Sequence, residues 1–181
     1  MWLRNFYNSL ACMVLGGGFT STSNLDDNNI SLKKIDGSFA SNFGNSSIWY
    51  FYPVSDNGKF YQHSSGSMGS LNYGLIFGSG DTKVTYDDYK LAEPLTNKCT
   101  ITNLVYGTPT YDAETKTWSC TVQFDLKNTS STAAVIKEVG LRNSSTVLLY
   151  REVLDEPITL GAGITMAYNH TFKFTMPVVN S

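Results

Sequence analysis

The most regular feature of this chain is a strict alternation of residue character near its C-terminus. From residue 164 to residue 176 one parity is apolar or aromatic apart from one histidine, and the other is polar or small. A period of two places successive side chains on opposite faces of an extended strand. The pattern therefore predicts a long β-strand with one buried face, formed by Ile164, Met166, Tyr168, His170, Phe172, Phe174 and Met176.

A second alternating run lies upstream, and its apolar parity comprises Trp118, Cys120, Val122, Phe124 and Leu126. Two half-buried strands of this kind need a second sheet to cover their apolar faces. We therefore predict a mainly β protein built on an antiparallel β-sandwich of immunoglobulin-like or jelly-roll-like type. Such a scaffold is compatible with many functions and names none of them.

Two hairpins are predicted within the sandwich. One spans residues 100–126 and turns near residues 112–114, while the other spans residues 134–154 and turns at residues 143–146. Alternating segments separated by short polar connections are typical of antiparallel strand pairs.

Charge matching suggests the register of the second hairpin. If Arg142 faces the first residue after the turn, Glu138 lies opposite Arg151 and Lys137 lies opposite Glu152. Opposite charges then meet in both pairs, whereas a three-residue loop would shift the register by one and break both. We take as a hypothesis that Glu138 and Arg151 form a cross-strand ion pair that fixes this register.

A short unit precedes the hairpins. Residues 71–77 read as a strand that ends at Gly78 and Gly80, and residues 85–89 read as a single helical turn. Thr85 is the expected N-cap. Asp88 is placed where its carboxylate can accept a hydrogen bond from the cap residue and interact with the helix N-terminus.

The N-terminal region predicts a short amphipathic helix that ends at three consecutive glycines, residues 16–18. A secretory signal segment is the alternative, but the apolar run of about six residues is shorter than the 7 to 15 that such a segment needs. No segment approaches the roughly 20 apolar residues needed to span a bilayer. The apolar stripe of the helix recurs at three- and four-residue spacing and consists of Leu3, Phe6, Tyr7, Leu10, Met13 and Val14.

An aromatic β-hairpin is expected over residues 48–61, because Asn57-Gly58 between apolar runs is a strong hairpin signal. Residues 64–70 are rich in Ser and Gly and mark a boundary, which divides the chain into an assembly region, 1–66, and a sandwich domain, 67–181. The assembly region offers aromatic and apolar residues of the kind enriched in protein interfaces. The expected interface residues are Trp2, Leu3, Phe6, Tyr7, Leu10, Trp49, Phe51 and Phe60.

Composition narrows the range of partners. Charged residues are only 15% of the 181 residues and the net charge is −2, with 13 Lys and Arg in total. A nucleic-acid or anionic-membrane surface is therefore not expected. A weakly charged surface suits permanent contact with other protein copies, or with sugars.

The sequence offers no constellation of residues that supports catalysis. His63 and His170 are the only histidines, and His170 lies on the apolar parity of the last strand, where a core or interface imidazole is expected. No nucleophile elbow, phosphate-binding loop or metal-ligand spacing is present, so neither an enzyme nor a cofactor is predicted. Paired carboxylates of the glycosidase type stay open, because 15 acidic residues allow some pair to converge.

Cys12, Cys99 and Cys120 leave one thiol unpaired in any arrangement. The first hairpin would place Cys99 opposite Asn128 and Cys120 near Tyr106, too far apart for a disulfide. Free buried thiols are therefore favoured, unless other strands bring two cysteines together.

Three segments carry motifs in a fixed order. They are a Gly-x-Gly loop followed by an Asp-Tyr-x-Leu turn in residues 78–91, an Ile-x-Glu-Val-Gly-Leu strand in residues 136–141, and an Arg-bearing strand that runs into a Gly-ended turn in residues 149–163. Together they resemble a family of accessory structural proteins from tailed bacteriophages, and the likeness covers residues 71–176. The motif residues are Gly78, Gly80, Asp88, Tyr89, Glu138, Gly140 and Arg151.

The resemblance implies a β-sandwich carried in the virion, on the tail or baseplate or on the head, without enzyme activity. Other virion structural proteins and further copies of the same chain are the partners that it implies. The alternative is a secreted bacterial carbohydrate-binding or adhesive module, in which the aromatic hairpin stacks against sugar rings.

Overall fold

The structure is a computed structural model that describes residues 1–7, 33–38, 74–142 and 147–175. Seven β-strands account for most of the described chain, and both sheets that they form are open and antiparallel. The predicted mainly β fold is thus confirmed. Several predicted features lie outside the described residues. They are the aromatic hairpin, the Ser/Gly-rich boundary, and the interface residues Leu10, Trp49, Phe51 and Phe60. The strands are β1 (Gly74–Gly78), β2 (Cys99–Tyr106), β3 (Thr110–Asp112), β4 (Thr117–Asn128), β5 (Ala134–Arg142), β6 (Leu148–Leu160) and β7 (Thr165–Thr175).

The first sheet has the strand order β1-β5-β6 and the second is centred on β4. β2 and β3 pair with successive parts of β4, and β7 pairs with β4 along almost its whole length, from Thr117↔Thr175 to Lys127↔Thr165. Because Phe124 pairs with Tyr168 and Cys120 with Phe172, the apolar parities of β4 and β7 fall on the same face. Both alternating runs therefore form half-buried strands as predicted. The prediction is wrong at two ends, because Trp118 is 46% exposed and Ile164, which precedes β7, is 54% exposed, while Met176 lies outside the described residues.

Side chains from the two sheets meet in one hydrophobic cluster. The residues that β7 and β4 contribute belong to the apolar parity identified in the sequence. The burial pattern of β7 alternates accordingly, with His170 and Phe172 buried and Asn169 and Thr171 exposed. The buried members of the cluster are Leu75, Phe77, Ile101, Val122, Phe124, Leu126, Ile136, Val139, Leu141, Tyr150, Leu160 and Phe172.

The predicted register of the β5–β6 hairpin is wrong by two residues. Arg151 lies opposite Gly140, and Val153 lies opposite Glu138. One residue comes from the connection, since Arg142 pairs with Leu148, one position further along than predicted. The other comes from an irregularity between the Leu141 and Arg142 pairs, where β6 carries one extra residue.

The β2–β4 hairpin follows its predicted register at one end only. Cys99 lies opposite Asn128 as predicted, but Tyr106 lies opposite Val122 instead of Cys120. A register shift between Thr102 and Val105 causes this difference. Asn103 in this bulge has a φ of 52°, in the left-handed region that Asn tolerates better than most residues.

The predicted N-terminal helix is observed only as a single turn in the described residues. Residues 4–7 form one helical turn, and residues 8–18 lie outside the described part of the chain. In the described ranges, no helix has the length and apolar character needed to cross a membrane.

Candidate functional site

A buried ion pair lies on the first sheet, between two of the residues singled out in the sequence. Arg151 on β6 is 2% exposed and Glu138 on β5 is 0% exposed, and Arg151 Nε lies 2.7 Å from Glu138 Oε2. Because the register is shifted by two, the partners are diagonal neighbours and not directly opposite. A shift of two keeps both side chains on the same face of the sheet. The predicted ion pair therefore forms in a register that was not predicted.

Backbone groups complete the environment of the Glu138 carboxylate. The N–H of Ala92 donates to Oε2 at 3.1 Å, and the N–H of Glu93 donates to Oε1 at 2.9 Å. With the Arg151 donor, the carboxylate accepts three hydrogen bonds in a site without solvent access. A buried carboxylate requires hydrogen bonds of this kind, because burying a charge without partners is costly.

The guanidinium of Arg151 binds the loop that precedes β2. Nη1 donates to Asp88 Oδ2 at 2.7 Å, and Nη2 donates to both the carbonyl and the hydroxyl oxygen of Thr82 at 3.1 Å. Burial of the guanidinium opposes its charge, but hydrogen bonds from it to Asp88 and Glu138, and their negative charges, raise the pKa of Arg151 overall.

Asp88 also binds the predicted cap residue. The Thr85 hydroxyl donates to Asp88 Oδ1 at 2.7 Å, and the Thr85 N–H donates to Oδ2 at 3.1 Å. Partial burial raises the pKa of Asp88, but these hydrogen bonds and Arg151 outweigh it and the net pKa is lowered. The segment forms a hydrogen-bonded turn and not a helical one, so the predicted contact is confirmed and the predicted helical turn is wrong.

The three motif glycines provide room for this arrangement. A Cβ atom at Gly78 would lie 2.3 Å from Glu138 Oε1, and one at Gly80 would lie 2.8 Å from the same atom. A Cβ atom at Gly140 would lie 2.9 Å from methyl groups of Leu91 and Leu148. Gly78 and Gly80 are thus required for close packing against Glu138, which its hydrogen bonds hold in place, whereas a side chain at Gly140 would displace the ends of two leucines.

Tyr89, the remaining motif residue, lies apart from the ion pair. Its ring is covered by Lys33, whose Nζ lies 4.1 Å from the ring centroid, in the range of a cation–π contact. Gly37 lies next to the same ring. Tyr89 therefore holds residues 33–38 against the body.

Residues 1–7, which we call the N-terminal arm, extend the first sheet at the edge of β6. Trp2 pairs with Tyr150, the Leu3 N–H donates to the Leu149 carbonyl at 2.9 Å, and the Arg151 N–H donates to the Met1 carbonyl at 3.1 Å. Sequence periodicity did not predict this isolated bridge, because its partner is supplied by a distant segment.

The arm residues of the predicted interface lie largely against their own chain. Leu3 is 0% exposed, because it packs with Leu91 and Leu148 of its own chain. Trp2 and Phe6 are half-buried, with ring centroids 4.3 Å apart, and only Tyr7 is exposed. In this arrangement Leu3 is an internal contact between the arm and the body, and it does not form part of an exposed surface.

Polar contacts fix the arm at both ends. The Trp2 indole N–H donates to the Lys173 carbonyl of β7 at 2.7 Å, which links the arm to the second sheet. The buried Asn5 amide donates to the carbonyls of Leu148 and Lys33, and it accepts from the Lys33 N–H. Asn5 was not singled out in the sequence, since an isolated Asn in a polar segment carries no local signal.

His170 on β7 is buried beneath the arm, as expected for its parity. It is 4% exposed, and its Nε2 has no hydrogen-bond partner although Glu152 Oε2 lies 3.6 Å away. Burial lowers the pKa of His170, with a smaller opposing effect from Glu152 and a further lowering by the Met1 amino group. Tyr150 donates its hydroxyl to the same Glu152 carboxylate, and burial and this carboxylate raise the pKa of Tyr150.

Two exposed features of the second sheet could take part in contacts with other molecules. On the face of the second sheet that points away from the core, hydroxyl groups pair across strands at 2.8 to 2.9 Å. At one end of the same sheet, the rings of Tyr111 and Trp118 are 47% and 46% exposed with centroids 4.9 Å apart. The hydroxyl pairs are Thr110–Ser119, Thr117–Thr175 and Thr121–Thr171.

The remaining candidates for chemistry are not brought together. Cys99 and Cys120 are half-buried free thiols, and burial raises the pKa of both. Raised values disfavour the reactive thiolate. Within the described ranges no three His, Cys, Asp or Glu side chains converge in a way that could hold a metal ion. Cys12 and His63 lie outside those ranges.

Comparison with known proteins finds no family model, curated protein or solved structure that matches this chain.

Replacing one partner of the buried ion pair is expected to lower the free energy of unfolding strongly. Glu138→Gln and Arg151→Met should each cost about 3 kcal/mol or more in denaturant titrations, because the remaining charge is left buried. The double variant should cost less than the sum of the singles. Exchanging the two residues should not restore stability, because Arg at position 138 cannot accept from the Ala92 and Glu93 N–H groups.

Lys137→Met is the matched control. Lys137 Nζ also lies 2.7 Å from a carboxylate, that of Asp81, but the pair is exposed and should contribute little. Equal effects of Lys137→Met and Glu138→Gln, or strict additivity of the two core variants, would contradict the structural role of the buried pair.

His170 should make stability fall as the solution becomes acidic. The pKa of His170 in the folded state lies below the unfolded value of about 6.5, so the unfolded state binds the proton more tightly. The contribution of the neutral imidazole to stability is therefore fully present above that pH and is lost on acidification, by up to about 1.4 kcal/mol per pH unit. His170→Phe should flatten the unfolding free energy between pH 7 and pH 5. An unchanged slope in His170→Phe would assign the dependence to another group, such as the amino terminus, whose pKa is also lowered by burial.

Proposed function

We propose that this protein is a non-enzymatic structural component of a bacteriophage virion. In this proposal it is a β-sandwich on the tail, the baseplate or the head, and it acts through contacts with other virion proteins and with its own copies. The sandwich itself is supported by the two sheets, whose inward side chains form one shared cluster.

The observation that carries the proposal is the convergence of five of the seven motif residues, since Tyr89 and Gly140 make other contacts. The motifs that resemble the phage family are separated by up to about 70 positions in sequence, yet Gly78, Gly80, Asp88 and Arg151 all lie around the carboxylate and guanidinium of one ion pair with Glu138. Chance matches would be scattered over the fold. Motifs that depend on one another physically are what a shared structural unit requires, and this supports the resemblance.

The character of the surface also supports an assembly role. The outward face of the second sheet bears paired hydroxyl groups, and Tyr111 and Trp118 are exposed beside it. Exposed aromatic rings, in a chain of which only 15% of the residues are charged, suit burial by neighbouring subunits. The charges of Glu138 and Arg151 are meanwhile withdrawn into the interior, where no partner can reach them.

A carbohydrate-binding or adhesive module is the second candidate function. The stacked and exposed pair of Tyr111 and Trp118 favours it, because aromatic rings offer an apolar face to a sugar ring. This pair lies in the described part of the chain, unlike the hairpin residue Trp49 for which sugar stacking was first predicted.

Virion association is the direct test of the first function. We expect mass spectrometry of gradient-purified particles, made from the phage genome that encodes this chain, to detect the protein in a fixed ratio to the major capsid protein. An abundant host protein serves as the contamination control. Recovery of the protein only in the soluble fraction, as a free monomer, would rule out the virion role.

A glycan array tests the second function. If the exposed pair binds sugars, Trp118→Ala should reduce binding to any glycan captured by the intact protein by about tenfold, a loss of about 1.4 kcal/mol in binding free energy. Val135→Ala, at an exposed apolar residue on the other sheet, is the control. Absence of glycan binding by the intact protein would remove this candidate.

A further inference from the structure

The N-terminal arm fills a site on the body that is shaped for it. Its first three residues form an isolated antiparallel bridge at the edge of β6, Leu3 packs with Leu91 and Leu148, and the Trp2 indole donates to a carbonyl of β7. Strand addition of this kind joins main-chain hydrogen bonds with side-chain sites. The contacts specify the sequence of the arm and do not depend on which copy of the chain supplies it.

A long stretch of chain separates the arm from the body. Asn5 is hydrogen bonded to Lys33, so residues 1–7 and 33–38 dock together, and residues 39–73 are the covalent link from them to β1. These 35 residues can span more than about 100 Å when extended. A domain of about 100 residues has a radius of gyration of only about 13 Å. A neighbouring copy is therefore within reach.

We propose that the arm is exchanged between copies, so that residues 1–7 of one molecule, together with residues 33–38 that dock with them, occupy the β6 site of the next. The proposal names a second copy of this chain as the partner, and it rests on the assembly role proposed above. Exchange preserves every contact of the docked arm, which is why domain swapping is a low-cost route to oligomers. It also converts an internal contact into a link between subunits that needs no additional apolar surface.

Cross-linking between two distinguishable copies tests the exchange. Arg4 on the arm and Asp87 on the body form an exposed ion pair at 2.6 Å, so cysteines at these positions come close when the arm is docked. Two full-length chains with different tags are co-expressed, one with Arg4→Cys and one with Asp87→Cys, after Ser has replaced the native cysteines. A short bis-maleimide reagent is then added to the purified protein.

Exchange predicts a covalent product that contains both tags. At micromolar protein its yield should exceed that of a control pair by about tenfold or more, because a docked arm holds the thiols at millimolar effective concentration. The control replaces Arg4→Cys by Glu156→Cys, at an exposed position on β6. A single chain that carries both Arg4→Cys and Asp87→Cys should cross-link in either arrangement and establishes that the two thiols meet.

A two-tag yield at the control level, with full cross-linking inside the single chain, would overturn the exchange. That outcome would leave the virion role intact, since particle association is measured independently by mass spectrometry. Conversely, a two-tag product from a protein that never enters particles would support the exchange and refute the virion role.

Discussion

The buried ion pair between Glu138 and Arg151 is the interaction on which the rest of the structure depends. An isolated buried charge is so unfavourable that each member requires the other, together with every further donor or acceptor around it. The loop before β2 must therefore stay where Ala92 and Glu93 present their N–H groups and Asp88 presents its carboxylate. The pair thus selects one position for a loop that has little regular secondary structure of its own.

Arg151 connects this network to the N-terminal arm. Its side chain binds the loop, while its backbone N–H donates to the Met1 carbonyl of the arm. Leu91, in the same loop, packs against Leu3 from the arm and Leu148 from β6. Loop, sheet and arm consequently share one small apolar cluster beside one ionic one. Movement of β6 by a single register position would turn Arg151 to the opposite face and disrupt all three.

The alternating pattern predicted β4 and β7 and their buried faces, because one face of each strand packs on a core and the period of two is a local property. The register of β5 and β6 could not be read in the same way, since bulges depend on how the backbones meet in three dimensions. The ion pair was nevertheless predicted, because an error of two residues preserves the face. The arm was predicted only in part. Residues 4–7 form a helical turn, as their spacing predicts, whereas residues 1–3 lie extended along the edge of β6, which no local pattern indicates.

The distribution of polar groups explains how such a fold suits an assembly role. The Glu138–Arg151 pair is buried, where it specifies the position of the loop, whereas the outward face of the second sheet carries hydroxyl pairs such as Thr121–Thr171. Attraction between exposed charges is screened by salt, while hydroxyl and aromatic contacts depend on shape and close approach. In the proposed assembly role, hydroxyl and aromatic groups of this kind would select partners by fit. Recognition through a docked strand, with an apolar site for Leu3, follows the same principle, because its hydrogen bonds come from the backbone and its specificity from one filled cavity.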